Sequence, residues 1–337
     1  MVWRWAKLLK TLQKGSWTTS APFDESPLSE QEIAALNIKM AGYEMARRLA
    51  ARKGARIVEN RPDDMLCCKP STQADLDSDW CAYWARELGI GFAYHRKLWE
   101  LSYVLQALST RGCLEPGRTG VVFGCGRESV PSYCAGHGIH VLATDIPRSD
   151  SYAQGWIETG QHAASLSELH HPHLCTREQL TAFVKRRDVD MNEIPADIRD
   201  YDFCWSVCAL EHLGSIERGL AFVEKSLGVL KPGGIAIHTT EFAFLNIDRT
   251  FDRGPTVLFL RKHFEQLRDR LAKSGHTLAP LDFDVGSGPM DKFIDGPPFP
   301  GSRRSHLLAH WPESYHIKVS YEGIPTTCFG LIVQKRS

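Results

Sequence analysis

Two glycines and one carboxylate raise the first chemical question. Gly124 and Gly126 stand in "VVFGCGRES", directly after an apolar run, and Asp145 closes the next apolar run, "HVLATD", 19 positions after Gly126. A glycine at the end of a strand lets the backbone turn sharply and lets a ligand approach where a Cβ would block it. A helix beginning just beyond aims free N–H groups at the same point. A carboxylate ending the neighbouring strand is placed to accept from ribose hydroxyls. The unit suits an adenosine-type cofactor. It also nearly fits the dinucleotide pattern GxGxxG, with Ser129 at the third glycine, and an α/β domain whose turn merely needs glycine would look similar.

Positioning these groups requires strands alternating with helices, and the chain supplies them from about residue 117. "GVVF", "HVLAT", "VDM", "YDFCWSV" and "IAIHTTEF" read as strands. Glu128 to Ala135, "TREQLTAFVKRR", "SIERGLAFVEKSLGVL" and "RKHFEQLRDRLAKSG" read as the intervening helices, which implies parallel strands with crossover connections. The last two runs, "YHIKVSY" and "TTCFGLIVQK", are separated only by "EGIP" and must be antiparallel. Ahead of this, residues 1–94 read as a helical extension. A capping box, "SEQE" at Ser29–Glu32, opens one helix, Asp79–Leu88 forms another, and His95 to Leu108 leads into the first strand. The expected division is therefore 1–94 and 95–337.

Composition narrows the partners. The 337 residues carry 40 basic and 40 acidic side chains, a net charge of zero, which argues against bulk nucleic acid. The ten cysteines include no CxxC pair, which suggests a reducing, cytoplasmic setting without disulfides, and no metal site is expected. Residues 2–14 show an amphipathic pattern, with Val2, Trp5, Leu9 and Leu12 on one face. It suits a peripheral membrane contact, or packing on the chain's own domain or on a second subunit as a homodimer.

From about Arg96 onward the chain resembles the class I S-adenosylmethionine-dependent methyltransferases. "VVFGCGRES" is similar to that family's first motif, "VLATD" to its strand-two acid, "VDMNEIP" to its adenine segment, "YDFCWSVCALEHL" to its strand-four motif and "LKPGGIAIHTTEF" to its fifth strand. The resemblance implies a Rossmann-like α/β sheet, mostly parallel with the last strand antiparallel, helices on both faces, and S-adenosyl-L-methionine as cofactor. It places Gly124 and Gly126 at the methionine portion, Asp145 on the ribose, Asp190 and Met191 on the adenine, and Ser206 beneath the sulfonium. Where the family usually has an acid two places before the first glycine, this chain has Val122, and at the third glycine it has Glu128. Glu128 is either a carboxylate for the cofactor's amino group or an acid favoured by a helix's first turn. Arg96 is a candidate partner for the cofactor's carboxylate, and Trp99 a candidate cover.

Methyl transfer to a protonated oxygen or nitrogen calls for a base beside the ends of strands four and five. His212, in "ALEHLGS", and Glu241, in "IHTTEF", are the candidates. Four aspartates in the Gly- and Pro-rich stretch 282–306 suggest a substrate loop. Together these point to O-methylation of a hydroxyl-bearing small molecule or glycan. A nicotinamide-dependent oxidoreductase and a non-catalytic binding scaffold are the alternatives. "HHPHLC" at His170–Cys175 matches no standard zinc spacing.

Overall fold

The computed structural model describes residues 26–53, 57–158, 160–245, 250–299, 304–308 and 314–337. The amphipathic pattern at residues 2–14 lies outside them. No described helix is long and apolar enough to cross a membrane.

Helix α1 (Glu30–Lys53) opens on the expected box: Ser29 N–H donates to Glu32 Oε2 at 2.9 Å, and Glu32 N–H to Ser29 Oγ at 3.3 Å. Strand β1 (Lys69–Pro70) precedes the short helix α2 (Gln73–Leu76) and α3 (Asp79–Glu87), which Ser78 caps through Cys81 N–H. Helix α4 (Arg96–Ser109) is capped by His95, whose Nδ1 accepts from Lys97 N–H at 3.0 Å. It is apolar on most faces because it is enclosed on most faces, and Leu98, Trp99, Leu101, Tyr103, Val104 and Leu105 are all buried.

Strand β2 (Thr119–Phe123), helix α5 (Val130–Gly136) and β3 (His140–Asp145) follow. Helix α6 (Gln154–Glu158) is short, and α7 (Arg177–Phe183) begins at a Thr176–Gln179 capping box. Then come β4 (Val184–Asp188), β5 (Tyr201–Val207), α8 (Ile216–Ser226), β6 (Leu230–Ala243), α9 (Arg261–Lys273) and β7 (Thr277–Leu278). The chain closes with α10 (Pro289–Lys292), β8 (Ile294–Asp295), β9 (Lys318–Tyr321) and β10 (Ile324–Gln334).

The sheet order is β4-β3-β2-β5-β6-β10-β9-β8, with β1 and β7 also pairing with β10. β4, β3, β2, β5 and β6 are mutually parallel, while β10 runs antiparallel to β6 from Thr326↔Ala243 to Gln334↔Ile235. The residues before 95 share the sheet's core: Trp80 and Trp84 pack with it, and Lys69 pairs with Gly330.

Two expectations change. The third parallel strand is Val184–Asp188, not "VDM", so α7 ends at Phe183. β4 is an edge strand, where Lys185, Arg186 and Arg187 can reach solvent and discourage further pairing, so it lacks the apolar run that marks a central strand. The stretch 282–306 is partly ordered into α10 and β8, and its acids are occupied. Asp295 is buried among Lys39 Nζ (2.5 Å), Tyr43 Oη (2.9 Å) and His316 Nδ1 (2.8 Å). Asp291 accepts from Gln73 N–H at 2.7 Å and Gly288 N–H at 3.0 Å. Asp282 and Asp284 accept from the backbone two residues on. Asp295 and Asp291 thus fasten α1 and α2 to the sheet, while Asp282 and Asp284 are exposed and brace only their own loop.

Candidate active site

A cavity of about 300 Å³ opens at the carboxyl ends of β2, β3 and β5. This is the crevice where open α/β sheets bind ligands. Its floor is the glycine turn. Gly124 has φ +62° and Gly126 φ +48°, and a Cβ on Gly124 would fall 2.9 Å from Ala209 Cβ. One on Gly126 would fall 2.9 Å from the carbonyl oxygen of Gln161. Both positions therefore need glycine for the backbone angle and for the space.

Asp145, Asp190, Met191, Glu128 and His212 line the same cavity. Asp145 accepts from Gly126 N–H at 3.2 Å and Ile146 N–H at 2.9 Å. Burial raises its pKa above the usual carboxylate range against the pull of His162 and these N–H groups. Asp190 accepts from Asn192 N–H at 2.8 Å, an Asx turn that fixes the loop after β4. Asp188 lies apart, paired with Arg186 at 2.7 Å.

Glu128 sits ahead of α5, which begins at Val130, so a helix's first turn does not account for it. Burial pushes its carboxyl up to about 8, opposed by Lys97 and by the Trp205 indole N–H at 3.4 Å.

His212 stands across the cavity, its ring edge-to-face with Trp156 at 4.7 Å between centroids. Its Nδ1 is 2.8 Å from the carbonyl oxygen of Pro255. A carbonyl can only accept, so Nδ1 carries the proton and Nε2 keeps its lone pair. Burial lowers the pKa of His212 below the ordinary histidine value, and the imidazole is neutral at pH 7.

Four site expectations need correction. Ser206 is fully buried and bonded to His238 Nδ1 at 2.8 Å, away from the cavity. The residues that reach the cavity from the end of β5 are Val207, Cys208 and Ala209. Arg96 turns away and pairs with Glu241, while Lys97, one residue on and about 100° around the helix, lines the cavity. Glu241 is likewise off the cavity wall, held by Arg96 and by Thr326 Oγ1 at 3.1 Å. Trp99 is buried with its N–H on Asp75, and Trp156 is the indole at the cavity. His170, His171 and His173 each have Nε2 against a backbone carbonyl, of Cys175, Arg127 and Leu88.

Lys97, Trp156 and Cys208 went unnoticed in the sequence. A rotation of one position after His95 distinguishes Lys97 from Arg96. Trp156 belongs to a short helix with no periodic signal. Cys208 adopts φ +46°, a backbone turn that a strand pattern does not announce.

No protein-family model matches the chain, and no curated protein matches its sequence. Among solved structures it is similar to the magnesium protoporphyrin IX methyltransferase of Synechocystis PCC 6803 with bound SAH. Identity is 12%, coverage is 91% of this chain and 100% of that one, and the TM-score is 0.40. It is similar to an S-adenosylmethionine-dependent methyltransferase of Mesorhizobium loti at 14% identity, covering 68% and 97%, with a TM-score of 0.35. A [4+2]-cyclase, SpnF, is similar at 14% identity, covering 94% and 99%, with a TM-score of 0.44. The strand order itself, five parallel strands followed by an antiparallel β10 inserted beside β6, defines the fold. It is the Rossmann-like fold of the class I S-adenosylmethionine-dependent methyltransferases.

Proposed function

We propose that the protein is an S-adenosylmethionine-dependent methyltransferase that methylates a hydroxyl on a small molecule. The residues present fit the cofactor. The two glycines leave the floor open where side chains would fill it. Asp145 faces the position of a ribose, and Asp190 with Met191 the position of an adenine. Glu128 is a buried carboxyl on the cavity wall, and Lys97, the cation facing it, is held by Glu100, which leaves Glu128 suited to an ammonium group. When bound, the cofactor supplies a methyl group already activated on sulfur.

The chain's own task is then to place an acceptor and take its proton. The observation that carries this reading is the fixed tautomer of His212: Pro255 holds Nδ1–H, leaving Nε2 as a neutral base in the same cavity. A hydroxyl donating to Nε2 becomes a better nucleophile as its proton leaves. Glu211, beside His212, is also raised to about 8 by burial and the neighbouring Glu241 charge, and Thr240 Oγ1 donates to it at 3.0 Å. Largely neutral at pH 7, it does not compete strongly as a proton acceptor.

Asp291 and Asp295 are committed to Gln73, Lys39, Tyr43 and His316, which weakens the case for a glycan, so glycans enter as one arm of the test. Calorimetry with S-adenosylhomocysteine and with NADH comes first; binding of NADH alone would overturn the cofactor assignment. Incubation with methyl-labelled cofactor and a panel of phenols, aliphatic alcohols, saccharides, amines and carboxylates follows. Label on a hydroxyl, lost in His212→Gln, is the expected result, and label on an amine alone refutes the acceptor class.

A further inference from the structure

Behind the cavity wall three elements bring together side chains that neither the fold nor the methyl-transfer reading requires. Cys208, just past β5, and Cys328, on β10, have their sulfurs 3.5 Å apart. Cys328 Sγ also lies 2.7 Å from Oε1 of Glu100, on α4. The Cys208 and Cys328 sulfurs and a Glu100 oxygen all fall within 4.8 Å of one another, and Glu100 and Cys328 are fully buried. From this convergence we propose that Cys208, Cys328 and Glu100 bind one zinc ion.

The sulfur spacing suits the metal, and Glu100 Oε1, which accepts the Cys328 thiol proton at 2.7 Å, must open to about 3.5 Å from that sulfur once the proton leaves and both atoms bind the ion. With Zn–S bonds of about 2.3 Å and tetrahedral angles, two ligating sulfurs lie about 3.8 Å apart, within a few tenths of an ångström of the separation here. Two thiolates select a soft or borderline ion over magnesium or calcium. Charge also balances. The ion's two positive charges replace the two thiol protons, which leave to solvent, so the net charge of this buried region is unchanged. The neighbouring cations do not occupy the ligand atoms. Lys97 holds the other oxygen of Glu100, Oε2, and Arg96 holds Glu241. Lys97 thereby orients the ligating carboxylate, the usual part of an outer-shell group. The backbone of Cys208 is similarly fixed, its N–H donating to Thr239 Oγ1 at 3.0 Å. Three protein ligands with a free fourth position is the arrangement of catalytic rather than structural zinc. Cys208 lies on the cavity wall, which puts the ion beside the cavity.

The test uses the full chain, purified with reductant, stripped of metal and titrated with zinc against a competing chromophoric chelator. Elemental analysis should give about one zinc per chain, and cobalt in its place should show thiolate-to-metal charge-transfer absorption. Cys328→Ala and Cys208→Ser should abolish both, while Cys204→Ser, at a core thiol on the opposite side of β5, should leave them unchanged. Should the first two variants fail to fold, alkylation of the native protein decides: zinc must protect Cys208 and Cys328, identified by mass spectrometry, and leave other thiols as before. Zinc far below stoichiometric, cobalt without a thiolate band, or full zinc in Cys328→Ala overturns the proposal. S-adenosylhomocysteine calorimetry on the same samples reports separately on the cofactor cavity, so a failed metal site and a failed cofactor assignment give different results.

Discussion

Replacing Glu128 by glutamine is the sharpest probe of how the cavity holds a ligand. Burial pushes this carboxyl from 4.5 up to about 8, so at pH 7 roughly one molecule in eleven carries the charge. If Glu128 must ionise to hold the cofactor's ammonium group, binding at pH 7 releases about 0.9 proton and costs about 1.4 kcal/mol, a tenfold loss of affinity. That loss deepens about tenfold for each pH unit lower and disappears above about pH 8. The assay is calorimetry with S-adenosylhomocysteine at about pH 6 and about pH 7, in buffers of different ionisation enthalpy, below the range where the ligand's amino group titrates. The wild type should show buffer-dependent heats and tighter binding at the higher pH. Glu128→Gln should show neither.

The free protein should respond in the opposite sense. A carboxyl whose folded pKa is raised favours the fold below its unfolded pKa, near 4.5, and that contribution is lost as pH rises through about 8. Glu128→Gln should therefore raise Tm above the wild type at pH 8 and match it near pH 4.5. Buffer-independent heats in the wild type, or identical proton release in the variant, would refute the assigned role of Glu128.

Three further outcomes are expected. Gly124→Ala forces a side chain into a left-handed backbone and against Ala209, so it should cost about 1–2 kcal/mol in urea unfolding and at least tenfold in S-adenosylhomocysteine affinity. His212→Gln should lower kcat by about a hundredfold or more while cofactor affinity falls far less; because its pKa is lowered, the acid limb of the wild-type kcat profile should lie below pH 6.5. Asp295→Ala strands the buried Lys39 ammonium and should destabilise the fold by about 3–5 kcal/mol, read by chemical unfolding, with early proteolytic release of α1.

The framework was legible because it is periodic. Val121–Phe123, Val141–Ala143 and Phe203–Val207 are short apolar runs, and each is a strand. Ser29 and Thr176 are caps, and each begins a helix at the expected place. The glycine turn, Asp145, Asp190, Met191 and His212 fall on one cavity because strand ends in a parallel sheet converge on one edge. What escaped depends on orientation after an element ends. Ser206 and Val207 differ by one position and point to opposite faces, and the turn at Cys208 decides which side chain reaches the cavity. Arg96 and Lys97 present the same problem on a helix. The charged edge strand β4, VKRRD, has no apolar run to mark it. The structural roles of Asp291 and Asp295 leave no local signal, because their partners Lys39, Tyr43, Gln73 and His316 are remote in sequence. The meeting of Glu100, Cys208 and Cys328 across three elements leaves no spacing motif at all.

Strand β10 has a consequence for how the molecule is made. It hydrogen-bonds to β1, β6, β7 and β9, and Lys69 finds its partner only at Gly330. Such a layout defers assembly: the helices before β2 and the parallel strands can gather loosely, but neither can lock until β10 threads into the sheet between β6 and β9. The β6 edge therefore stays open from Ala243 until the chain reaches Ile324, and resistance to proteases arrives when β10 closes it.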